Sequence, residues 1–238
     1  MSFSVIIPAF NEEQFLPATL AALAEAMEST TMPGEVIVVD NNSTDETARV
    51  AEELGARVVF EPINQISRAR NAGAAVADSP YLVFIDADTQ VSGPLLCAAL
   101  QSLGNGTTCG GGSTLVFDHT PASAEAMVRA WNWISRKLKV AAGSFVFCLR
   151  EGFEDVGGFS EAVYASEEIW FSRDLKKWGR KRQLQFKVLD IAPVVTSARK
   201  LEWFSPLRLA TQTLALTLFP FFVRFKGMCG IWYRRPNN

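Results

Sequence analysis

The chain has 238 residues, 48% of them hydrophobic and 20% charged, with a formal net charge of −2. Such a chain buries a core of its own, and its apolar content excludes intrinsic disorder. The weakly acidic balance, with no long basic run, excludes general nucleic-acid binding, although a few placed charges suffice to hold a single nucleotide.

Taken in chain order, the first ninety residues alternate short apolar runs with longer amphipathic ones. Ser4 to Pro8 (SVIIP) is a β-branched run ended by proline. Residues 12–28 then place Phe15, Leu16, Leu20, Leu23 and Met27 at helical spacing. Glu35 to Asp40 (EVIVVD) is a second buried-type strand. Ser43, with Glu46 three residues on, forms a capping-box pattern that predicts a helix closed by Gly55. A third strand over 57–60, a third helix over 66–78 and a fourth strand over 81–85 (YLVFI) complete this half. Strands that are apolar along their whole length, alternating with helices, predict an α/β fold: a mostly parallel, mixed sheet with helices on both faces. Ligands in such sheets bind beyond the carboxyl ends of the strands. Polar clusters stand at three of those ends: Asn11-Glu12-Glu13, Asp40-Asn41-Asn42 and Asp86-Ala87-Asp88.

The second half is less regular. Gly110-Gly111-Gly112 reads as a turn before a strand (STLVF), and residues 121–139 read as a helix carrying Trp131 and Trp133. Ser144 to Leu149 reads as a strand and Gly157-Gly158-Phe159 as a turn. A helix near 166–178 follows, with Ser166 as its expected N-cap. Residues 1–200 form the expected domain, in two halves, 1–90 and 91–200. Residues 201–238 change character. Leu209 to Val223 is apolar, bounded by Arg208 and Arg224, and Lys226, Trp232, Tyr233, Arg234 and Arg235 follow. Fifteen apolar residues fall short of the roughly 20 that span a bilayer, and Pro220 breaks a helix there. Apolar residues beside basic and aromatic ones suit contact with a membrane surface through 203–235, while a packed terminal helix or a dimer contact fits equally well.

The amino terminus, Met-Ser-Phe-Ser, enters a strand at once and lacks the regions of a signal peptide. Cys97, Cys109, Cys148 and Cys229 are scattered, with no CxxC pair, which signals neither zinc nor a disulfide framework. Both features lead to the expectation of a cytoplasmic protein in a reducing compartment. The single histidine, His119, stands beside Asp118 and before Thr120-Pro121, and reads as a loop residue.

The chemistry concentrates on carboxylates. Asp86 and Asp88 follow a strongly hydrophobic strand, and with one small residue between them both reach one cation. Hard oxygens suit Mg²⁺ or Mn²⁺, which in turn hold substrate phosphates. Gln90 is near enough to add an oxygen. Asp40 ends the second strand, where its carboxylate can accept hydrogen bonds from a base or ribose and can also cap the turn through Asn41-Asn42, two roles that are compatible. Arg68 and Arg70 open the third helix two positions apart, so only one faces a ligand. Glu167 and Glu168 open the late helix, where the dipole stabilises the anion.

Together these segments resemble the family 2 glycosyltransferases of GT-A fold over about residues 3–190. SVIIPAFNEE looks like that family's opening strand and loop, VIVVDNNSTDET its second strand and helix start, and ARNAGAAVADSPYLVFIDADT the run into its metal-binding Asp-x-Asp. REGFEDVGGFSE followed by SEEIWFSRDLKKWG resembles the acceptor-side block, and the ending resembles a bacterial subgroup of small members with a hydrophobic tail. The resemblance implies an inverting, metal-dependent transfer from a UDP- or GDP-sugar to an acceptor hydroxyl, with 1–90 as the nucleotide-binding half and 91–200 as the acceptor-side half. It implies that Pro8, Ala9, Phe10 and Glu12 line the nucleotide and that Asp40 contacts the base. It places Arg70 near ribose or diphosphate, Asp86 and Ala87 on the ribose and phosphate side, and Asp88 on Mn²⁺ or Mg²⁺. Glu168 matches the family's general-base aspartate, one methylene longer, and Glu167 stands beside it; Ser197, Arg199 and Lys200 are candidates to close over the diphosphate. The acceptor is unnamed, and the tail points toward a lipid-linked one. Two alternatives stay open. A nucleotidyltransferase also pairs aspartates on such a sheet, but Ala9-Phe10-Asn11-Glu12 lacks the glycine-rich basic loop it needs. A non-catalytic nucleotide-sugar-binding homologue is the other.

Overall fold

In the computed structural model, which describes residues 1–119, 122–204, 211–212 and 220–233, the apolar runs become strands of one mixed sheet. Four strands are parallel neighbours: β1 (Phe3–Ala9), β2 (Gly34–Asp40), β3 (Arg57–Phe60) and β4 (Tyr81–Ile85). Two short strands and two long ones extend the sheet: β5 (Thr89–Gln90), β6 (Thr108–Phe117), β7 (Phe145–Leu149) and β8 (Gln185–Thr196). The order is β3-β2-β1-β4-β7-β6-β8-β5, with β7 antiparallel to both β4 and β6, β6 parallel to β8, and β5 antiparallel to β8. The β4–β7 pairing makes the two halves of the chain one continuous sheet.

Period-two alternation explains why both faces are covered. Val5, Ile7, Ala9, Val83 and Ile85 point to one face and pack with α1 (Leu16–Glu28) and α4 (Gly93–Gly104). Ile6, Ile37, Val39, Leu82 and Phe84 point to the other, where they meet α3 (Ile66–Val76), α6 (Arg150–Asp155) and α7 (Glu167–Lys181). Each buried aliphatic or aromatic side chain contributes about 1.5–3 kcal/mol. On the second face Phe159 lies 4.5 Å from Phe171 and 5.0 Å from Phe84, ring centre to ring centre, joining α7 to the sheet. Gly73 sets the depth of α3. A Cβ there would lie 2.4 Å from Ile6 Cγ2 and 2.9 Å from Val39 Cγ2, so only glycine lets the helix approach β1 and β2 this closely.

Three local expectations are corrected. Gly110 to Gly112 form no turn but lie inside β6. They are glycines because neighbours crowd them: a Cβ on Gly111 would sit 2.0 Å from the Lys187 carbonyl oxygen, and one on Gly110 2.6 Å from that of Phe147. Ser43 does not cap the second helix, which is α2 (Thr47–Glu53). Its hydroxyl instead accepts the Asn11 N–H at 3.0 Å, and the Asp45 carboxylate accepts the Thr47 N–H at 3.0 Å. Ser166 does precede α7, but with φ of 61° and no side-chain hydrogen bond to the helix; it lacks the extended backbone that a hydroxyl cap uses.

The chain end returns to the carboxyl edge of the parallel strands. Tyr164 N–H donates to the Val223 carbonyl at 2.6 Å, Val223 packs on Val163, and Lys226 Nζ donates to the Asn64 carbonyl at 2.8 Å. Among the described residues no helix is long and apolar enough to cross a membrane. The side chains of Lys200 and Trp232, together with Arg208, Arg234, Arg235 and most of the apolar run from Leu209 to Val223, lie outside the described residues.

Candidate active site

A cavity of about 450 Å³ opens where the strands end. β1 delivers Pro8, Ala9, Phe10 and Glu12 to its wall, and β4 delivers Asp86, Ala87 and Asp88. α3 contributes Arg70, and the start of α7 contributes Glu167 and Glu168. Ala87 is fixed in place because its carbonyl accepts the Thr19 hydroxyl at 2.8 Å.

Arg70 organises the floor. It is 2% exposed, and its Nη1 donates to Glu167 Oε1 at 2.8 Å. Its Nη2 donates to Asp86 Oδ1 at 2.9 Å and to the Gly143 carbonyl at 2.8 Å. Burial opposes the charge on Arg70, yet Asp86, Glu167 and Glu168 more than offset it and hold its pKa above the ordinary value. Arg68, two positions earlier, turns outward to Glu61 and Glu161, so the helix divides the two arginines as the spacing requires.

Glu167 is therefore committed to Arg70, while Glu168 faces the cavity. Burial, then the neighbouring charge of Glu167, push the Glu168 carboxyl up to about 8, with Arg70 pulling the other way. A carboxyl with its pKa near neutrality is tuned for proton transfer. Gly143 lies beside it: a Cβ there would lie 3.5 Å from Glu168 Cδ, at ordinary van der Waals distance.

The second cation is Arg199, in the first turn of α8 (Arg199–Trp203). Its two terminal nitrogens each lie 2.6 Å from an oxygen of Glu12, and Nη2 also lies 2.8 Å from Asp88 Oδ2. Ser197 N–H donates to the Asp88 carbonyl at 3.1 Å, so the end of β8 is tied to Asp88 through backbone as well. Asp86 and Asp88 offer the hard oxygens that Mg²⁺ or Mn²⁺ prefers, and the donor chemistry fits such an ion. Among the described residues no group of three or more His, Cys, Asp or Glu side chains is gathered to hold a metal. An ion here would thus share its coordination with substrate oxygens, the usual arrangement for Mg²⁺ beside phosphates.

The far wall is apolar. Leu115 and Phe117 from β6, Val128 and Trp131 from α5 (Ala122–Leu138), and Trp203 from α8 all border the cavity. Asn132 anchors α5 to β6 by donating to the Leu115 carbonyl at 2.8 Å while accepting the Leu115 N–H at 3.0 Å.

Most of the expected site residues meet here: Pro8, Ala9, Phe10, Glu12, Arg70, Asp86, Ala87, Asp88, Glu167, Glu168, Ser197 and Arg199 all line the cavity. Two do not. Asp40 is turned into the loop, where its carboxylate accepts the Ser43 N–H at 2.9 Å; its neighbour Asn41 lines the cavity instead. Gln90 is exposed on β5, since alternation along that strand buries Thr89 and turns Gln90 away. His119 is likewise outside, in an exposed loop 3.0 Å from Glu202. Asn64, Ile66, Ile231 and Tyr233 also line the cavity, with no signal in the local sequence that marks them as site residues. Tyr233 was visible only as part of a basic, aromatic tail; in the fold its hydroxyl accepts the Ile66 N–H at 3.4 Å, at the start of α3.

A mixed sheet of this order, with four parallel strands joined to the second half of the chain through the antiparallel β7, is a GT-A fold. Residues 4–157 match the family described as Glycosyl transferase family 2, which is more than half of the chain, and the chain belongs to that family. Among curated relatives, an uncharacterized glycosyltransferase of Mycobacterium tuberculosis (strain ATCC 25618 / H37Rv) is 45% identical over 85 residues, which is 36% of each chain. The match thus spans about a third of that relative's length. Among solved structures, the mannosyltransferase PcManGT from Pyrobaculum calidifontis, in complex with GDP-Man and Mn²⁺, superposes with a TM-score of 0.69 at 20% identity, over 95% of this chain and 64% of that one. TarS 1-349 of S. aureus, in complex with UDP-GlcNAc, gives 0.65 at 19% identity over 98% and 70%.

Proposed function

We propose that the protein transfers a sugar, with inversion, from a UDP- or GDP-sugar to an acceptor hydroxyl, assisted by Mn²⁺ or Mg²⁺. The observation that carries this reading is the convergence, in one cavity of about 450 Å³, of the Asp86-Ala87-Asp88 strand end with the pKa-raised Glu168. Residues 1–90 form the donor half. Pro8, Ala9, Phe10 and Asn41 line the nucleotide, Asp40 supports their loop, and Arg70 sets Asp86 toward the ribose and phosphate. Asp88 and Asp86 offer carboxylate oxygens to the metal. When bound, the cation neutralises charge developing on the departing diphosphate. The neighbours crystallised with GDP-Man and Mn²⁺ and with UDP-GlcNAc support this class of donor.

In the acceptor half, residues 91–200, Glu168 takes the proton of the acceptor hydroxyl as that oxygen attacks the anomeric carbon. The bond from that carbon to the diphosphate oxygen breaks, and the nucleoside diphosphate leaves with the electron pair. Glu167 positions Arg70 and so keeps the negative charge of Asp86 oriented. The apolar wall of Leu115, Phe117, Val128, Trp131 and Trp203 suits an acceptor with an apolar body, consistent with a lipid-linked one. Phe221, Phe225 and Met228 are 54%, 57% and 41% exposed beside Arg224 and Lys226, a surface fitted to peripheral contact with the inner face of the cell membrane. A panel of nucleotide sugars scored by thermal shift with Mn²⁺ or Mg²⁺ tests the reading: one donor class stabilises the protein, and the effect disappears in Asp88→Ala. Stabilisation that survives in Asp88→Ala removes the metal assignment, and no stabilisation by any donor removes the function.

A further inference from the structure

Glu12 and Asp88 come from different strand-end loops, yet one nitrogen, Arg199 Nη2, lies 2.6 Å from Glu12 Oε1 and 2.8 Å from Asp88 Oδ2. Arg199 is 8% exposed, and its guanidinium lies 4.4 Å from the centre of the Phe15 ring and 5.2 Å from that of Trp203. Its Nε is buried with no hydrogen-bond partner. This cation seat is therefore complete for its carboxylates and incomplete for its occupant.

Charge decides what the seat is for. Glu12, Asp86, Asp88, Glu167 and Glu168 are carboxyl groups around the cavity, faced among the described residues by the guanidiniums of Arg70 and Arg199. A nucleoside diphosphate adds further negative charge and needs cations of its own. While Arg199 is held by Glu12 and Asp88, it offers its charge to protein oxygens rather than to phosphate. A divalent ion on those same oxygens supplies more charge in less space, and it frees Arg199, in the turn directly after β8, to pair with the diphosphate. The unmet Nε donor lowers the cost of that release. Protein carboxylates completed by phosphate oxygens make an ordinary Mg²⁺ or Mn²⁺ site.

Resting on the nucleotide-sugar reading, we propose that Glu12 is a metal ligand alongside Asp88, and that Arg199 is the resident counter-ion of this seat, exchanged for the divalent metal when the nucleotide diphosphate binds. Binding of Mn²⁺ alone, followed by the electron-spin-resonance signal of the free ion, tests this in wild type, in Arg199→Met and in Arg199→Met with Glu12→Gln. Methionine keeps an apolar stem between Phe15 and Trp203. The expected result is that Arg199→Met binds Mn²⁺ about tenfold tighter than wild type without nucleotide, and that adding Glu12→Gln cancels the gain. No gain in Arg199→Met, or a gain that survives Glu12→Gln, overturns the proposal. If thermal melting shows Arg199→Met to be unfolded, the single variant Glu12→Gln with UDP or GDP carries the test. Mn²⁺ affinity about tenfold below wild type supports a ligand role for Glu12, and unchanged affinity overturns it. Nucleotide binding measured on the same samples separates the two levels. UDP or GDP bound without the Mn²⁺ pattern sinks only the seat, whereas no nucleotide bound to any variant sinks the transferase reading itself.

Discussion

Arg70 and Glu167 stand 97 positions apart in the chain and meet at 2.8 Å, so that α3 fixes the start of α7, which carries the candidate base. Asn71 and Gln65 reinforce the link. Asn71 accepts the Phe159 N–H and donates to its carbonyl, each at 2.9 Å, and Gln65 donates to the carbonyls of Glu161 and Val163 at 2.8 and 2.9 Å. The segment leading into Glu167 is thereby held by α3.

Removing the hub should be costly. Arg70→Met leaves Asp86 and Glu167 without their common cation, and Glu167 is only 4% exposed. Breaking a buried pair in this way costs about 3–5 kcal/mol. Urea unfolding of the variant checks this, and Arg70→Lys, which keeps the charge but not the fork, should lose less.

Glu168→Gln should leave the fold and nucleotide binding intact while lowering kcat about 10²–10⁴-fold, because the amide cannot take the acceptor's proton. Release of nucleoside diphosphate in the presence of acceptor measures it. Glu167→Gln should differ in kind, weakening the Arg70 network and lowering stability as well as rate.

The raised pKa of Glu168 predicts two pH dependences of opposite sense. The base works as the anion, so the rate should rise with pH and level off above about 8. Stability runs the other way. The folded state holds a proton on Glu168 between its ordinary value of 4.5 and about 8, and the unfolded state does not. Folding stability from this group is thus present at low pH and lost as pH rises through that window. Thermal melts of wild type and Glu168→Gln from pH 5 to pH 8 check it: the variant should gain on wild type as pH rises.

Gly111→Val should be among the most destabilising changes in β6, since even a Cβ would lie 2.0 Å from the Lys187 carbonyl oxygen. Overpacking of this kind costs about 1–3 kcal/mol, and backbone cannot move aside as a flexible side chain would. Expression level and chemical denaturation report it.

These glycines also mark where the sequence stops being legible. The parallel half is readable because β-branched runs such as SVIIP and EVIVVD alternate with helical spacing, and Asp86-Ala87-Asp88 follows a strongly apolar strand. Gly110 to Gly112 look like a turn from composition alone; their crowding comes from β7 and β8, whose positions only the fold supplies. Asp40 and Asn41 are adjacent, and the choice between them depends on a hydrogen bond to Ser43 rather than on residue type. The pairing of Glu12 with Arg199 across 187 positions leaves no mark on local spacing, and neither does the return of Tyr233 to the start of α3.

The nucleotide released during turnover tests the central claim most directly. Purified protein with Mn²⁺, each UDP- and GDP-sugar in turn and an apolar hydroxyl acceptor should release a nucleoside diphosphate from one donor class, and should stop doing so in Asp88→Ala and Glu168→Gln. Pyrophosphate from a nucleoside triphosphate, with no diphosphate from any sugar donor, would contradict the assignment as a glycosyltransferase.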